Sequence, residues 1–364
     1  MEKYPVTKET SNASLPENYE VPEIEFHNIK EKPFSIHGLL WDDELGFVRL
    51  PKEIAKTDEL EDLNQMDTGG RVRFSTDSQY VAIKVLYNDK CWFAEHMTSI
   101  GCCGFDLYEK VKSGRVDYQG SFMPINRNTD GYCTTVNLHC KKQRDLIINF
   151  PLFAGVREMY VGVIKGSTLE AGSKYKIEKP VIFYGSSITH GACASRPGIS
   201  YPSMLSMKYD FEFLNMGFSG RCKGQKDTVE YMAAQDMSVF VLDYDHNAPN
   251  EEHLQKTHYY VYETIRKAHP DIPIVMASRP TYDNKEFNGV KRREIINKTY
   301  LKALKNGDKN VYFVDGKVKF KDFYKSGFTV DGVHPTDVGF EVMTNAFIEQ
   351  FEKFIRKIKQ KKGI

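Results

Sequence analysis

From Val181 onward, short apolar runs alternate with stretches of helical spacing, and no other feature of the chain restricts its fold so far. The runs are Val181–Tyr184, Phe211–Asn215, Val239–Asp243, Ile272–Ala277 and Val311–Val314, and the helical stretches lie near 201–209, 225–236, 250–268, 285–305 and 336–358. Strands and helices that alternate in this way build βαβ units, which close into a parallel sheet covered by helices on both faces. The pattern predicts an α/β/α domain over residues 176–364 with a five-stranded parallel sheet.

A chain of 364 residues exceeds what one core usually organises, so a second domain is expected before this one. Between Phe34 and Lys165 the pattern changes to short segments such as Val72–Phe74, Tyr80–Leu86, Gly104–Tyr108, Tyr132–Leu138, Leu146–Phe150 and Met159–Val163. Tyr80–Tyr87 has the period near two of a half-buried strand, and turns rich in Gly, Asn and Asp separate the segments. This predicts an all-β, jelly-roll-like sandwich over residues 31–170. Residues 1–30 read as an extended lead-in and Gly166–Lys179 as a connector.

Composition excludes several classes of function. With 50 basic and 49 acidic residues, the chain has no global field to draw in nucleic acid or an anionic membrane. Arg356, Lys357, Lys359, Lys361 and Lys362 cluster at the end of the last helical stretch, where cations suit the negative end of a helix dipole. No apolar run reaches the roughly 18 residues of a membrane span. The start, Met-Glu-Lys-Tyr-Pro, lacks the apolar core of a signal peptide, which fits a cytoplasmic protein or an exported one whose signal has been removed. Seven cysteines, Cys91, Cys102, Cys103, Cys133, Cys140, Cys193 and Cys222, include no C-x-x-C pair, so neither a structural zinc nor a full disulfide framework is indicated. One or two disulfides in the first half remain open. The ten histidines form no ligand motif, and no metal or other cofactor is expected.

The run Val181–Tyr184 stops at Gly185-Ser186-Ser187, which places a serine at the carboxyl end of a strand, where open α/β sheets bind their ligands. Three further polar segments sit at loops of the same half: Asn215-Met-Gly217-Phe-Ser219-Gly220, Asp243-Tyr-Asp245-His246-Asn247, and Asp331-Gly-Val-His334. Each alone reads as a turn or a helix cap. Together they supply acyl transfer: a serine nucleophile, a histidine base, an aspartate to hold its tautomer, and Gly and Asn donors for an oxyanion.

The order of these blocks resembles the SGNH (GDSL-type) hydrolase superfamily, and Gly104-Phe-Asp-Leu-Tyr108 with Asn149–Val156 resembles the Gly-x-Asp-Leu-Tyr β-domain that precedes some of its members. The resemblance implies a catalytic set of Ser187, Asp331 and His334, with an oxyanion hole from Ser187, Gly220 and Asn247. His246 and Arg196 are candidate substrate contacts, set against packing and loop-anchoring roles. The chain departs from the family pattern at Ser186, where an aspartate is usual, and in its third block, Asp-Tyr-Asp-His-Asn. The function implied is a serine esterase that removes a small acyl group, foremost acetyl, from a carbohydrate through an acyl-enzyme. The partner would then be a small-molecule or carbohydrate ester, with the oligomeric state left open. The alternatives are a lysophospholipase or general arylesterase, and a non-catalytic carbohydrate-binding or scaffold protein.

Overall fold

The computed structural model describes residues 22–88, 94–124, 129–283, 285–286, 288–321, 323 and 327–361. Most of the expected lead-in and Cys91 lie outside these residues. The chain divides into two compact units, neither continuous in sequence: the first holds residues up to Arg49, Gln65–Lys174 and Ser195–Gly198, and the second holds Leu50–Asn64, Tyr175–Ala194 and Ile199–Ile364.

The first unit contains two large antiparallel sheets and a two-stranded one, Leu40–Asp42 with Gly46–Val48. Of the large sheets, one runs in the order Ile24–Asn28, Val156–Ile164, Tyr80–Tyr87, Gly131–Asn137. The other runs Leu169–Ala171, Arg71–Thr76, Arg144–Asn149, Phe105–Lys110, Val116–Phe122, with Ser35–His37 also paired to Arg71–Thr76. Aromatic edge contacts fill the core, Phe150 meeting Phe47 at 5.3 Å and Phe105 at 5.4 Å between ring centres. Tyr132, on the first sheet, donates its hydroxyl to Phe122 O on the second at 3.0 Å.

Three local expectations are revised. Tyr80–Tyr87 is buried at six of its eight positions, because it is a central strand whose second face packs Tyr80 and Ala82 against Ile24, Phe26 and Ile164. Ile24–Asn28, within the expected lead-in, is an edge strand in register with Tyr160–Ile164. The expected connector adds a strand, Leu169–Ala171, to the second sheet, while Ile177–Lys179 already belongs to the next strand. Cys103 is disulfide-bonded, and Cys102, Cys133, Cys140, Cys193 and Cys222 are free.

The second unit is organised by five parallel strands: β1 (Ile177–Gly185), β2 (Phe211–Gly217), β3 (Val239–Asp243), β4 (Ile274–Ala277) and β5 (Val311–Val314), in the spatial order β2-β1-β3-β4-β5. Every residue of β3 and β4 is buried, as expected of strands covered on both faces, and this is why their sequences are apolar throughout except for Asp243 at the end of β3. Helices Tyr201–Tyr209 and Asp337–Phe351 meet through a flat stack of Tyr201 on Phe347 at 4.8 Å. The last helix ends at Phe351, and Ile355–Lys361 forms a separate short one, so the basic cluster does not terminate the long helix. Lys362 lies outside the described residues. The strand order reverses between β1 and β3, and the crevice at the carboxyl ends of those strands is the ligand position of this architecture. No helix among the described residues is long and apolar enough to cross a membrane.

Candidate active site

Ser187 stands where β1 breaks into a one-turn helix, Ser187–His190. Gly185 has to be glycine, since a Cβ there would lie 1.9 Å from Thr189 Oγ1 and 2.7 Å from Asp243 O. Ser186, at the position of the usual aspartate, is the helix N-cap: its Oγ accepts the Ile188 N–H at 3.2 Å, and its own N–H is donated to Asp243 O at 3.2 Å. The next residue therefore begins the helix, and Ser187 Oγ donates to His334 Nε2 at 2.8 Å.

The His334 ring is held from its other side. Its Nδ1 donates to Asp331 Oδ2 at 2.6 Å, and Asp331 Oδ1 accepts the backbone N–H groups of Val333 at 2.9 Å and His334 at 2.7 Å. One carboxylate thus fixes both the turn and the ring, a consequence of the Asp-x-x-His spacing. Burial pushes the Asp331 carboxyl up, but the bonds from the His334 ring and the two backbone donors outweigh it and leave it below its ordinary value. Ser187, His334 and Asp331 form one hydrogen-bonded line.

The second and third blocks lie beside the serine helix. Asn215 Nδ2 donates to Thr189 O at 2.8 Å and its Oδ1 accepts the Gly217 N–H at 2.9 Å, while the Phe218 N–H is donated to Gly185 O at 3.0 Å. Asn215 therefore straps the loop to the serine helix. Gly220 has φ +74° and open space where a side chain would stand. Asn247 Oδ1 accepts the Cys222 N–H at 3.3 Å, which orients the amide and leaves Nδ2 without a partner among the described residues. No described group bonds the Ser187 or Gly220 N–H either.

Beneath this surface lies a buried polar layer that sequence reasoning missed. Asp243 accepts Thr189 Oγ1 at 3.3 Å and Tyr201 OH at 3.1 Å. Burial, followed by the nearby charge of Asp245, pushes Asp243 up to about 7 from an ordinary 3.8. Because the folded value is the higher one, the stability from this proton is complete below pH 3.8 and is lost as pH rises through about 7. That effect is on the order of 4 kcal/mol. Melting curves of Asp243→Asn should consequently lose less Tm than the parent between about pH 5 and pH 8; equal losses would contradict the placement of the proton. The available signal was a pair of acidic residues, Asp243 and Asp245, ending an otherwise apolar strand.

Asp245 is fully buried with Arg279, whose backbone N–H and Nε reach its Oδ2 at 3.2 and 3.4 Å; Arg292 Nη1 donates to Asp245 O at 2.6 Å. His246 is enclosed next to this pair, its side chain 6% exposed. Arg196 belongs to the first unit. There it faces Asp106 at 3.8 Å, donates to Tyr108 OH at 3.3 Å and lies 4.2 Å over the Tyr118 ring, while the Gly198 N–H is donated to Asp106 Oδ2 at 2.7 Å. The Asp and Tyr of the Gly-x-Asp-Leu-Tyr motif thus anchor the 195–198 segment.

The GDSL-like Lipase/Acylhydrolase family profile matches residues 178–356, and the profile for the N-terminus of SGNH-hydrolase-type esterases (GxDLY) matches residues 24–169. The chain belongs to the GDSL-like lipase/acylhydrolase family. As a member it is a carboxylic ester hydrolase with a sheet-rich N-terminal region ahead of its parallel-sheet domain. A solved structure from Bacteroides ovatus ATCC 8483 that carries a GDSL-like lipase designation is 26% identical to this acylhydrolase, with TM-score 0.78, covering 92% of this chain and 98% of the other. The salicylyl-acyltransferase of a tetracycline biosynthetic pathway shares the fold at 18% identity and TM-score 0.73, over 89% of this chain and 95% of its own. An acetyl xylan esterase from the rumen bacterium Butyrivibrio proteoclasticus shares it at 11% identity and TM-score 0.54, over 91% and 98%. The comparison with curated proteins returns no match.

Proposed function

We propose that this acylhydrolase removes small acyl groups, foremost acetyl, from carbohydrate esters, with Ser187 as nucleophile. The observation that carries the reading is the line from Ser187 Oγ through His334 to Asp331, at 2.8 and 2.6 Å. His334 takes the serine proton as Oγ attacks the ester carbonyl, and Asp331 steadies the imidazolium that forms. The tetrahedral oxyanion is met by the N–H groups of Ser187 and Gly220 and by Asn247 Nδ2. Collapse expels the alcohol, which takes its proton from His334. Water then attacks the acyl-enzyme along the same path, releasing acetate and restoring the serine.

The carbohydrate part rests on likeness to esterases that act on such substrates, among them the acetyl xylan esterase. Two measurements test the reading: labelling by a fluorophosphonate probe, which should fall on Ser187, and acetate release from a panel of acetylated mono- and oligosaccharides. No labelling and no release would favour the non-catalytic alternative. Asn247→Ala is expected to lower kcat by roughly 100-fold to 1000-fold with KM nearly unchanged, the usual loss for one oxyanion donor. A change confined to KM would instead make Asn247 a ground-state binding residue.

A further inference from the structure

His246 precedes Asn247 in the loop that follows β3, and its ring has been given no task by the mechanism above. Its Nε2 is enclosed and has no hydrogen-bond partner among the described residues, and so is Asp245 Oδ1, 3.9 Å away. Buried polar atoms seldom stand unpaired, and these two are within reach of one bridging water. The other oxygen of Asp245 is already committed to Arg279. An acceptor-only carboxylate oxygen facing Nε2 selects the tautomer with its proton on that nitrogen. Burial, then the fields of Arg279, His334 and Arg292, holds the imidazole well below its ordinary value and therefore neutral. A neutral imidazole with its proton on Nε2 has a bare lone pair at Nδ1.

Resting on the esterase reading, we propose that His246 is the specificity residue of this site, its Nδ1 accepting a hydrogen bond from a hydroxyl next to the ester-bearing carbon of the substrate. The alcohol part it selects is thus a vicinal diol monoester, such as a partly acetylated sugar, in preference to a simple alkyl or aryl ester. A site built to accept a hydroxyl proton discriminates against an analogue that lacks it, because the acceptor then faces a group that cannot donate to it.

The test compares two probes on the full chain: a monoacetylated methyl glycoside with a free neighbouring hydroxyl, and the same compound with that hydroxyl methylated. The parent enzyme should favour the free hydroxyl by about 10-fold to 100-fold in kcat/KM. His246→Phe should bring that ratio close to one, and His246→Asn, which keeps an acceptor, should restore part of it. Long-range nitrogen NMR of the parent should show the His246 proton on Nε2. A parent ratio near one, an unchanged ratio in His246→Phe, or a proton on Nδ1 would each overturn the proposal, and the first and last need no variant to fold. If instead the parent neither released acetate from either probe nor was labelled by the fluorophosphonate, the esterase reading itself would fall and this inference with it.

Discussion

Ser187→Ala and His334→Ala are each expected to lower kcat by roughly 10⁴-fold or more on an acetyl ester such as 4-nitrophenyl acetate, and the double variant to cost less than about tenfold beyond either. The reason is that the two side chains share one proton across a 2.8 Å hydrogen bond, so that removing either abolishes the same step. Asp331→Asn should cost less than either, since the aspartate orients the ring and stabilises its charge without itself carrying the proton. Ser186→Ala is the control for register. Its hydroxyl caps the serine helix through the Ile188 N–H, so stability should drop by about 0.5–2 kcal/mol while activity persists. An inactive Ser186→Ala beside an active Ser187→Ala would move the nucleophile by one residue and dismantle the proposed geometry.

The parallel-sheet unit was legible because its buried strands have to be near-continuous apolar runs: Val239–Asp243, apolar up to its final aspartate, and Ile274–Ala277 announce themselves by composition, and the polar blocks fall at the carboxyl ends where the chain leaves the sheet. The hydrogen-bonded line of Ser187, His334 and Asp331 was legible through the order of the polar blocks and their resemblance to the SGNH pattern, since only its Asp331–His334 half is local and Ser187 stands 147 positions from His334. What escaped was the distant packing that no motif marks. Nothing local marks Asp243 as the acceptor of Tyr201, which is 42 positions away, or Arg279 as the partner of Asp245. The two-sided burial of Tyr80–Tyr87 likewise depends on strands far off in sequence, so its alternation implied an exposed face that the sheet covers.

The same dependence on distant segments makes the sequence-contiguous half an unsuitable fragment. A chain cut to residues 176–364 would lack Leu50–Asn64, which belongs to the second unit. The helix Lys226–Ala234 has no side-chain cap of its own, because Gln225 at its N-cap position makes no such bond. Asp58 supplies one instead, its Oδ2 accepting both the Thr228 N–H at 2.7 Å and Thr228 Oγ1 at 2.6 Å. Arg221 pairs with both oxygens of Asp62 at 2.8 and 3.0 Å, and Ala55 and Leu60 are buried. Without this segment, the fully buried Thr228 and the first turn of its helix would lose their acceptor, and the apolar surface beneath would be exposed. The fragment should therefore fail to unfold cooperatively in urea and should lose ester hydrolysis. In the whole chain, Asp58→Ala should lower the unfolding free energy by about 1–2 kcal/mol. A 176–364 fragment that unfolds cooperatively and hydrolyses acetyl esters as fast as the whole chain would show that the 50–64 segment contributes nothing the second unit needs.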